Sequence, residues 1–321
     1  MIGGYSHHSY ESVGLRNYVL KYSCELSYNS VSNLIKEKDG TALLSSPRIQ
    51  QIVIEKGEEI SQLQLAKVEA SSKQALPIIN EDLDLYDSQA EEIHVFEDGI
   101  GVRKQKQLRD KSLKTNREWH YTDVILLEQP NGDFKHLVAG FGLELEAILL
   151  SELKESYDQT SKALPIVVFS DGATCIRERM QSVFGQKVKR VLDWYHLNKK
   201  IWSLMSMIAI NKVEKKEHAT SILYHLWKGQ VKKAIPILEK ILTKNEQKRQ
   251  ELINYLDKRE AEIINYEKRK EAGKTIGSGR IEKGCDVIVG IRQKGKGKSW
   301  SSKGSTALAL VKMQFKNEKE L

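Results

Sequence analysis

The feature that most constrains this chain is the run Ile166-Val167-Val168-Phe169, short, uninterrupted and apolar, followed at once by Ser170-Asp171-Gly172. A strand of this kind has no polar face to offer water, so residues 164–170 read as buried on both sides, with sheet neighbours and covering helices. The surrounding segments agree. Residues 93–99 read as a strand ending in the acidic pair Glu97-Asp98, and residues 101–108 as a strand returning beside it. Residues 123–128 and 134–139 flank Pro130-Asn131-Gly132. Asn-Gly between alternating apolar runs signals a hairpin, because both residues tolerate the positive φ its turn requires. Residues 143–157 then carry helical spacing, residues 174–184 a second helix and residues 187–192 another strand. The expected class is α/β, with an antiparallel meander first and then helix, strand, helix, strand.

Both flanks of this region read as helical. In residues 27–35, capping-type Ser27 and Asn29 precede Val31, Leu34 and Ile35 at helix spacing. After a turn at Asp39-Gly40, Ser45-Ser46-Pro47-Arg48 places a cap before a proline at the first helical position. Two short helices about a tight turn make either a helix-turn-helix, with Arg48 on the member that enters a groove, or an ordinary helical hairpin. From about residue 195 to 270 every strand signal disappears, and Ile201, Leu204, Met205 and Ile208 have helical spacing. A final helix opens after Gly277-Ser278-Gly279, and a Lys-Gly stretch from Arg292 to Lys298 precedes Trp300.

Charge is distributed unevenly over the 321 residues, whose formal net charge is +8. Residues 185–250 hold 15 Lys+Arg against 5 Asp+Glu, and residues 276–321 hold 10 against 4, leaving −8 for the rest. An acidic body with two basic segments is the outline of a protein that neutralises phosphates at defined places, although Lys-rich solvated helix faces produce it too. Cys24, Cys175 and Cys285 are an odd number with no close pair, which excludes a disulfide framework or a four-cysteine zinc site. A cytoplasmic protein is the expectation, since no signal-peptide pattern or membrane-spanning run is present either.

Three acids stand where chemistry can gather. Asp98 closes the first strand, Asp171 closes the buried strand, and Glu282 lies in the first turn of the helix capped by Ser278. Taken alone, Asp98-Gly99 and Asp171-Gly172 read equally well as turns. If the acids converge at one sheet edge, two like charges near 4 Å cost about 4 kcal/mol at an effective dielectric of ~20, so a divalent cation is called for. Oxygen ligands with room for water and phosphate favour Mg2+, with Mn2+ as its substitute. Two such ions suit phosphodiester hydrolysis and transesterification. Asp286, one helical turn beyond Glu282, competes with it for the third position.

The ordered set Phe169-Ser170-Asp171-Gly172-Ala173, Val191-Leu192-Asp193-Trp194-Tyr195-His196-Leu197, Ile276-Gly277-Ser278-Gly279-Arg280-Ile281-Glu282-Lys283-Gly284-Cys285 and Arg292-Gln293-Lys294 with Ser299-Trp300-Ser301 resembles the Mutator-like DDE transposases of bacterial insertion sequences. The resemblance covers about residues 90–315. It implies a ribonuclease H-like mixed sheet flanked by helices and interrupted by an all-helical insertion. The corresponding division is 1–88 for a small N-terminal helical DNA-binding region, 89–198 with 273–321 for the catalytic domain, and 199–272 for the insertion. It implies that Asp98, Asp171 and Glu282 hold two Mg2+ ions for cleavage of mobile-element ends and strand transfer. Asp193 and His196 stand beside them as catalytic residues that hold DNA, orient water or support the metal pocket; a capping Asp with a backbone-bonded His is the plainer alternative.

DNA contacts are expected from Trp227, by stacking, and from the basic Gly-rich stretch with Arg292, Lys294, Lys296, Lys298 and Trp300. Core packing is the competing role for Trp227. The implied partners are transposon-end and target DNA and further copies of the chain in a dimer or higher assembly, with no membrane. Rival functions are a nuclease of the same fold that never joins strands and an inactive or truncated descendant that only binds DNA.

Overall fold

The computed structural model describes residues 11–40, 44–106, 118–157, 163–185 and 187–319. Its centre is a five-stranded mixed sheet of β1 (Ile93–Arg103), β2 (Trp119–Glu128), β3 (Phe134–Leu137), β4 (Ile166–Ser170) and β5 (Lys189–Leu192), in the order β3-β2-β1-β4-β5. The first three strands run antiparallel, and β4 and β5 lie parallel to β1. The Asn-Gly hairpin joins β2 to β3, with Gly132 at φ 86 and Asn131 bonding Asp133. As anticipated, β4 is buried along Ile166 to Phe169.

The first strand differs from expectation. β1 does not end at Asp98 but continues to Arg103, and its antiparallel partner is β2, with Asp98 opposite Val124. The alternation of buried Ile100 and Val102 with Gly99 and Gly101 carries the strand past the Asp-Gly pair. Gly101 lets the Tyr121 ring lie close over the strand, since a Cβ there would lie 3.0 Å from it. The expected return strand over 101–108 therefore fails in its first half, and residues 107–108 lie outside the described residues.

Each sheet face is covered. Val95, Ile125, Leu127 and Val168 pack with Leu149 and Leu153 of α4 (Leu145–Ser156) and Met180 of α5 (Thr174–Phe184). The opposite face carries Phe96, Val124, Leu126, Val167 and Phe169. It shares one core with the N-terminal helices α1 (Val13–Ser23), α2 (Tyr28–Asp39) and α3 (Ser46–Ser72). Between β5 and the last part of the chain lie α6 (Trp194–Ile208), α7 (Lys212–Trp227), α8 (Val231–Lys240), α9 (Glu246–Lys258) and α10 (Tyr266–Glu271). Then α11 (Gly279–Cys285) widens into a π-helical turn over Asp286–Gly290, continues as α12 (Ile291–Gln293) and is followed by α13 (Ser302–Asn317).

Two short N-terminal helices were the expectation, but α3 runs for 27 residues. Its buried positions Ile49, Ile52, Val53, Gly57 and Ile60 continue at helical spacing beyond the segment first read as its end. The reason is its partner: α3 lies along α13, close enough that a Cβ on Gly57 would sit 2.7 Å from Ala307. Among the described residues no helix is long and apolar enough to cross a membrane. Gly57→Val forces these two helices apart and is expected to lower stability by about 1–3 kcal/mol, read as a fall in the thermal midpoint.

Candidate active site

The register of two parallel strands builds the first half of the site. Phe96 pairs with Phe169, and their rings stack at 4.8 Å with 19° between planes. Side chains two residues apart on a strand share a face, so Asp98 follows Phe96 on that side of β1, while Asp171 is the first residue past the end of the neighbouring strand β4 and lies near enough for its charge to act on Asp98. Each carboxylate is steadied by a backbone N–H close to it in sequence. Asp98 Oδ1 accepts the Gly99 N–H at 2.8 Å, and Asp171 Oδ1 accepts the Ala173 N–H at 2.7 Å. Gly172 has φ +89, and a Cβ there would lie 2.9 Å from Leu192 and 3.0 Å from the Tyr255 hydroxyl, so conformation and space both require glycine.

Asp193 and the start of α11 supply the second half. Asp193 is 1 % exposed, and both of its oxygens are engaged. Oδ1 accepts the His196 backbone N–H at 2.7 Å as the cap of α6, while Oδ2 accepts the Ser278 hydroxyl at 2.8 Å and the Ser278 N–H. Ser278 precedes α11 but spends its hydroxyl on Asp193, so the expected side-chain cap of that helix is absent. Asp193 thus bolts α6 to α11. The His196 ring lies between the two halves, with Nδ1 3.2 Å from Asp193 Oδ1 and Nε2 3.4 Å from Glu282 Oε1.

The titration of these groups follows from the geometry. Burial pushes the Asp98 carboxyl above its usual range, and the charges of Asp171 and Glu282 add to that, against the Gly99 N–H and His196. Burial would raise Asp193 too, but the hydrogen bonds from His196 and Ser278 outweigh it and hold the carboxyl low. His196 is raised, first by its contact with Asp193 and further by the Glu282 and Asp171 charges, against desolvation. Asp98, Asp171, His196 and Glu282 are therefore within electrostatic reach of one another. Asp286 does not join them; its carboxylate leans over Gly290. Among the described residues no three His, Cys, Asp or Glu side chains stand close enough to grip a metal ion as they are arranged.

Several anticipated DNA contacts have other partners. Arg292 is buried, donates Nε–H to the Ser23 carbonyl at 3.1 Å, and lies over Tyr28 at 5.3 Å and Trp300 at 4.9 Å. Trp300 is also buried, and its Nε1–H donates to the Gln293 carbonyl at 2.9 Å. Both are packing residues because the Lys-Gly stretch folds back through Gly295 and Gly297 at positive φ rather than running extended. Lys294, Lys296 and Lys298 are exposed on that loop. Arg48 is committed to Glu11 and Glu55. Trp227 is half-buried, 4.7 Å from Trp194 and 6.0 Å from Tyr266 between ring centroids.

The residues that position the site from the helical segment escaped the sequence reading. Buried Arg259, ion-paired with Glu262, donates to the Gly172 carbonyl beside Asp171. Tyr266, fully buried, donates its hydroxyl to the Leu192 carbonyl at 2.8 Å, next to Asp193. Neither carries a local signal in the sequence, because the carbonyls they reach lie 87 and 74 positions away.

No protein-family model matches this chain, and no curated protein matches it.

A raised histidine stabilises the fold fully below its unfolded value near 6.5 and loses that contribution as pH rises through its folded value. The melting-temperature gap between the unaltered protein and His196→Ala is therefore expected to be widest below pH 6.5 and to narrow as pH rises above it.

Proposed function

We propose that this chain is a DDE transposase that cuts DNA at the ends of a mobile element and joins the freed 3′-hydroxyl to target DNA. The observation that carries the reading is the β1–β4 pairing, which brings the Asp98 stretch of β1 alongside the end of β4 and supports Asp98 and Asp171 as neighbours, with His196 Nε2 3.4 Å from Glu282 Oε1. The strand order, an antiparallel meander continued by two parallel strands, supports assigning the sheet to the ribonuclease H-like class. So does the run of helices between β5 and α11, which we assign as the insertion.

The carboxylates suit Mg2+ or Mn2+ by their chemistry. They are oxygen donors only, and Asp98 is half-buried with its charged form disfavoured by burial and by its acidic neighbours, a penalty that a cation removes. When bound there, two such ions supply the activation of a water or 3′-hydroxyl and stabilise the departing oxygen. The chain's own part is positional. Asp193 fixes α6 against α11 and, with it, the His196 ring against Glu282; protonated His196 offers Nε2–H to a carboxylate or a phosphate oxygen. Arg259 holds the turn that aims Asp171. Exposed Lys294, Lys296 and Lys298 provide charge for a DNA backbone. Joining two element ends to a target calls for at least two copies of the chain on DNA.

A strand-transfer reaction tests the reading, with a duplex that carries the element end and a pre-cut 3′-hydroxyl. Joined product is expected with Mg2+ or Mn2+. Asp98→Asn, Asp171→Asn and Glu282→Gln each reduce it by at least about a hundredfold, corresponding to the loss of several kcal/mol of charge stabilisation, whereas Asp286→Asn does not. Nicking without joining under either metal identifies a nuclease instead. A second readout needs no DNA. A folded carboxyl with a raised pKa costs stability as pH rises through it, so Asp98→Asn is expected to melt higher than the unaltered protein at pH 7 without divalent ions and to lose the stabilisation by millimolar Mn2+. A melting point indifferent to the metal before substitution leaves DNA binding without catalysis.

A further inference from the structure

On the side of α11 turned away from His196, a cavity of about 570 Å3 opens between this helix, the β2–β3 hairpin and the end of α13. Its apolar wall is Leu126, Val287 and Phe134, the last 56 % exposed. Its charged rim is Arg280, Lys283 and Lys316, with Glu128 as the one acid among the lining residues, already paired with Arg280 and His94. His136, 7 % exposed, closes the floor against Gly284, where a Cβ would approach its ring to 3.2 Å. The ring is buried with Nδ1 lacking a hydrogen-bond partner among the described residues, and its burial favours the neutral form. The volume falls in the range of small-ligand sites. An apolar wall with an exposed aromatic ring, rimmed by cations, suits a ligand that is flat and apolar at one end and anionic at the other.

A nucleotide has that chemistry. The cavity also has a fixed relation to the carboxylates, because Arg280 and Lys283 leave the same two turns of helix as Glu282. Arg280 meets Glu128 on the hairpin side while Glu282 meets His196 on the other. A helix with its side chains is ~10 Å across, a distance one or two nucleotides cover. We propose that this cavity receives an unpaired nucleotide of the DNA strand held at the carboxylate site, its base against Phe134 and Val287 and its phosphate at Arg280 and Lys283. The proposal rests on reading the chain as a DNA-cutting enzyme and adds to it a pocket for a base drawn out of the duplex beside the cut.

The test is fluorescence anisotropy with the full chain in EDTA, using a labelled single-stranded hexadeoxyadenylate and a blunt duplex as the two probes. Phe134 and Lys283 are exposed, so Phe134→Ala and Lys283→Glu leave the core intact. Each is expected to weaken single-strand binding by about tenfold, the order of one lost base stack or phosphate contact, and duplex binding far less. Lys283→Glu should also flatten the salt dependence by about 0.7 in log–log slope, as loss of one single-strand phosphate contact requires. Equal weakening of both probes, or none, overturns the proposal. Tighter binding of deoxyadenosine monophosphate than of the hexanucleotide assigns the cavity to free nucleotides and overturns its link to the strand. Because EDTA removes the metal, this result is independent of the carboxylates: Asp98→Asn should bind the hexanucleotide normally, and loss of metal response there leaves the cavity result standing.

Discussion

The parallel pairing of β1 with β4 is the constraint on which the site depends. Phe96 against Phe169 fixes which residues of the two strands stand level, and the carboxylates two positions on inherit that alignment. A slip of one residue would turn one acid to the opposite face of the sheet, among the residues that pack on α4 and α5. Register is protected because the same slip would expose Phe96 or Phe169, each worth about 1.5–3 kcal/mol when buried. The core thus enforces an arrangement of like charges that the charges themselves oppose.

What opposes them is met from several directions by neutral or cationic groups. Backbone N–H groups of Gly99 and Ala173 serve the two aspartates, and His196 stands toward Glu282. The helical segment between β5 and α11 contributes further. Arg259 and Tyr266 reach two backbone carbonyls, Gly172 in the turn after β4 and Leu192 at the end of β5, and both side chains are buried where they do so. Buried hydrogen bonds of this kind have no water to replace them, so the segment is held to the sheet by bonds that are costly to break.

Much of the sheet was legible because its signals are local. The Asn131-Gly132 hairpin, the apolar run at Ile166 and the strand at Val191 each show within a few residues, and the structure contains the four strands they announce, β2 to β5. The order of Asp98, Asp171 and Glu282 was legible too. What misled was an ambiguity of local chemistry: Asp98-Gly99 reads as a turn, yet Ile100 and Val102 continue the strand because a core lies beneath them. Arg292 and Trp300 looked solvated for the same reason. Their stretch is rich in lysine and glycine, while the partners that bury them, Tyr28 and the Ser23 carbonyl, lie more than 260 positions away. Asp193 was visible as an acid three residues from a histidine, but its bond to Ser278, which makes it a brace, spans 85 positions.

The brace has one further consequence. The Trp194 N–H donates to the Ile276 carbonyl at 3.3 Å, so the chain leaves the sheet and returns to it at a single doorway, with Asp193 and Ser278 as its posts. The stretch from Tyr195 to Thr275 is tied down beyond that doorway as well, by Arg259 to the Gly172 carbonyl, Tyr266 to the Leu192 carbonyl and Arg269 to Glu92. A shorter or longer segment spliced between the two posts would have to restore donors to the Gly172 and Leu192 carbonyls and a cation for buried Glu92, all of which would otherwise lose the partners this stretch gives them.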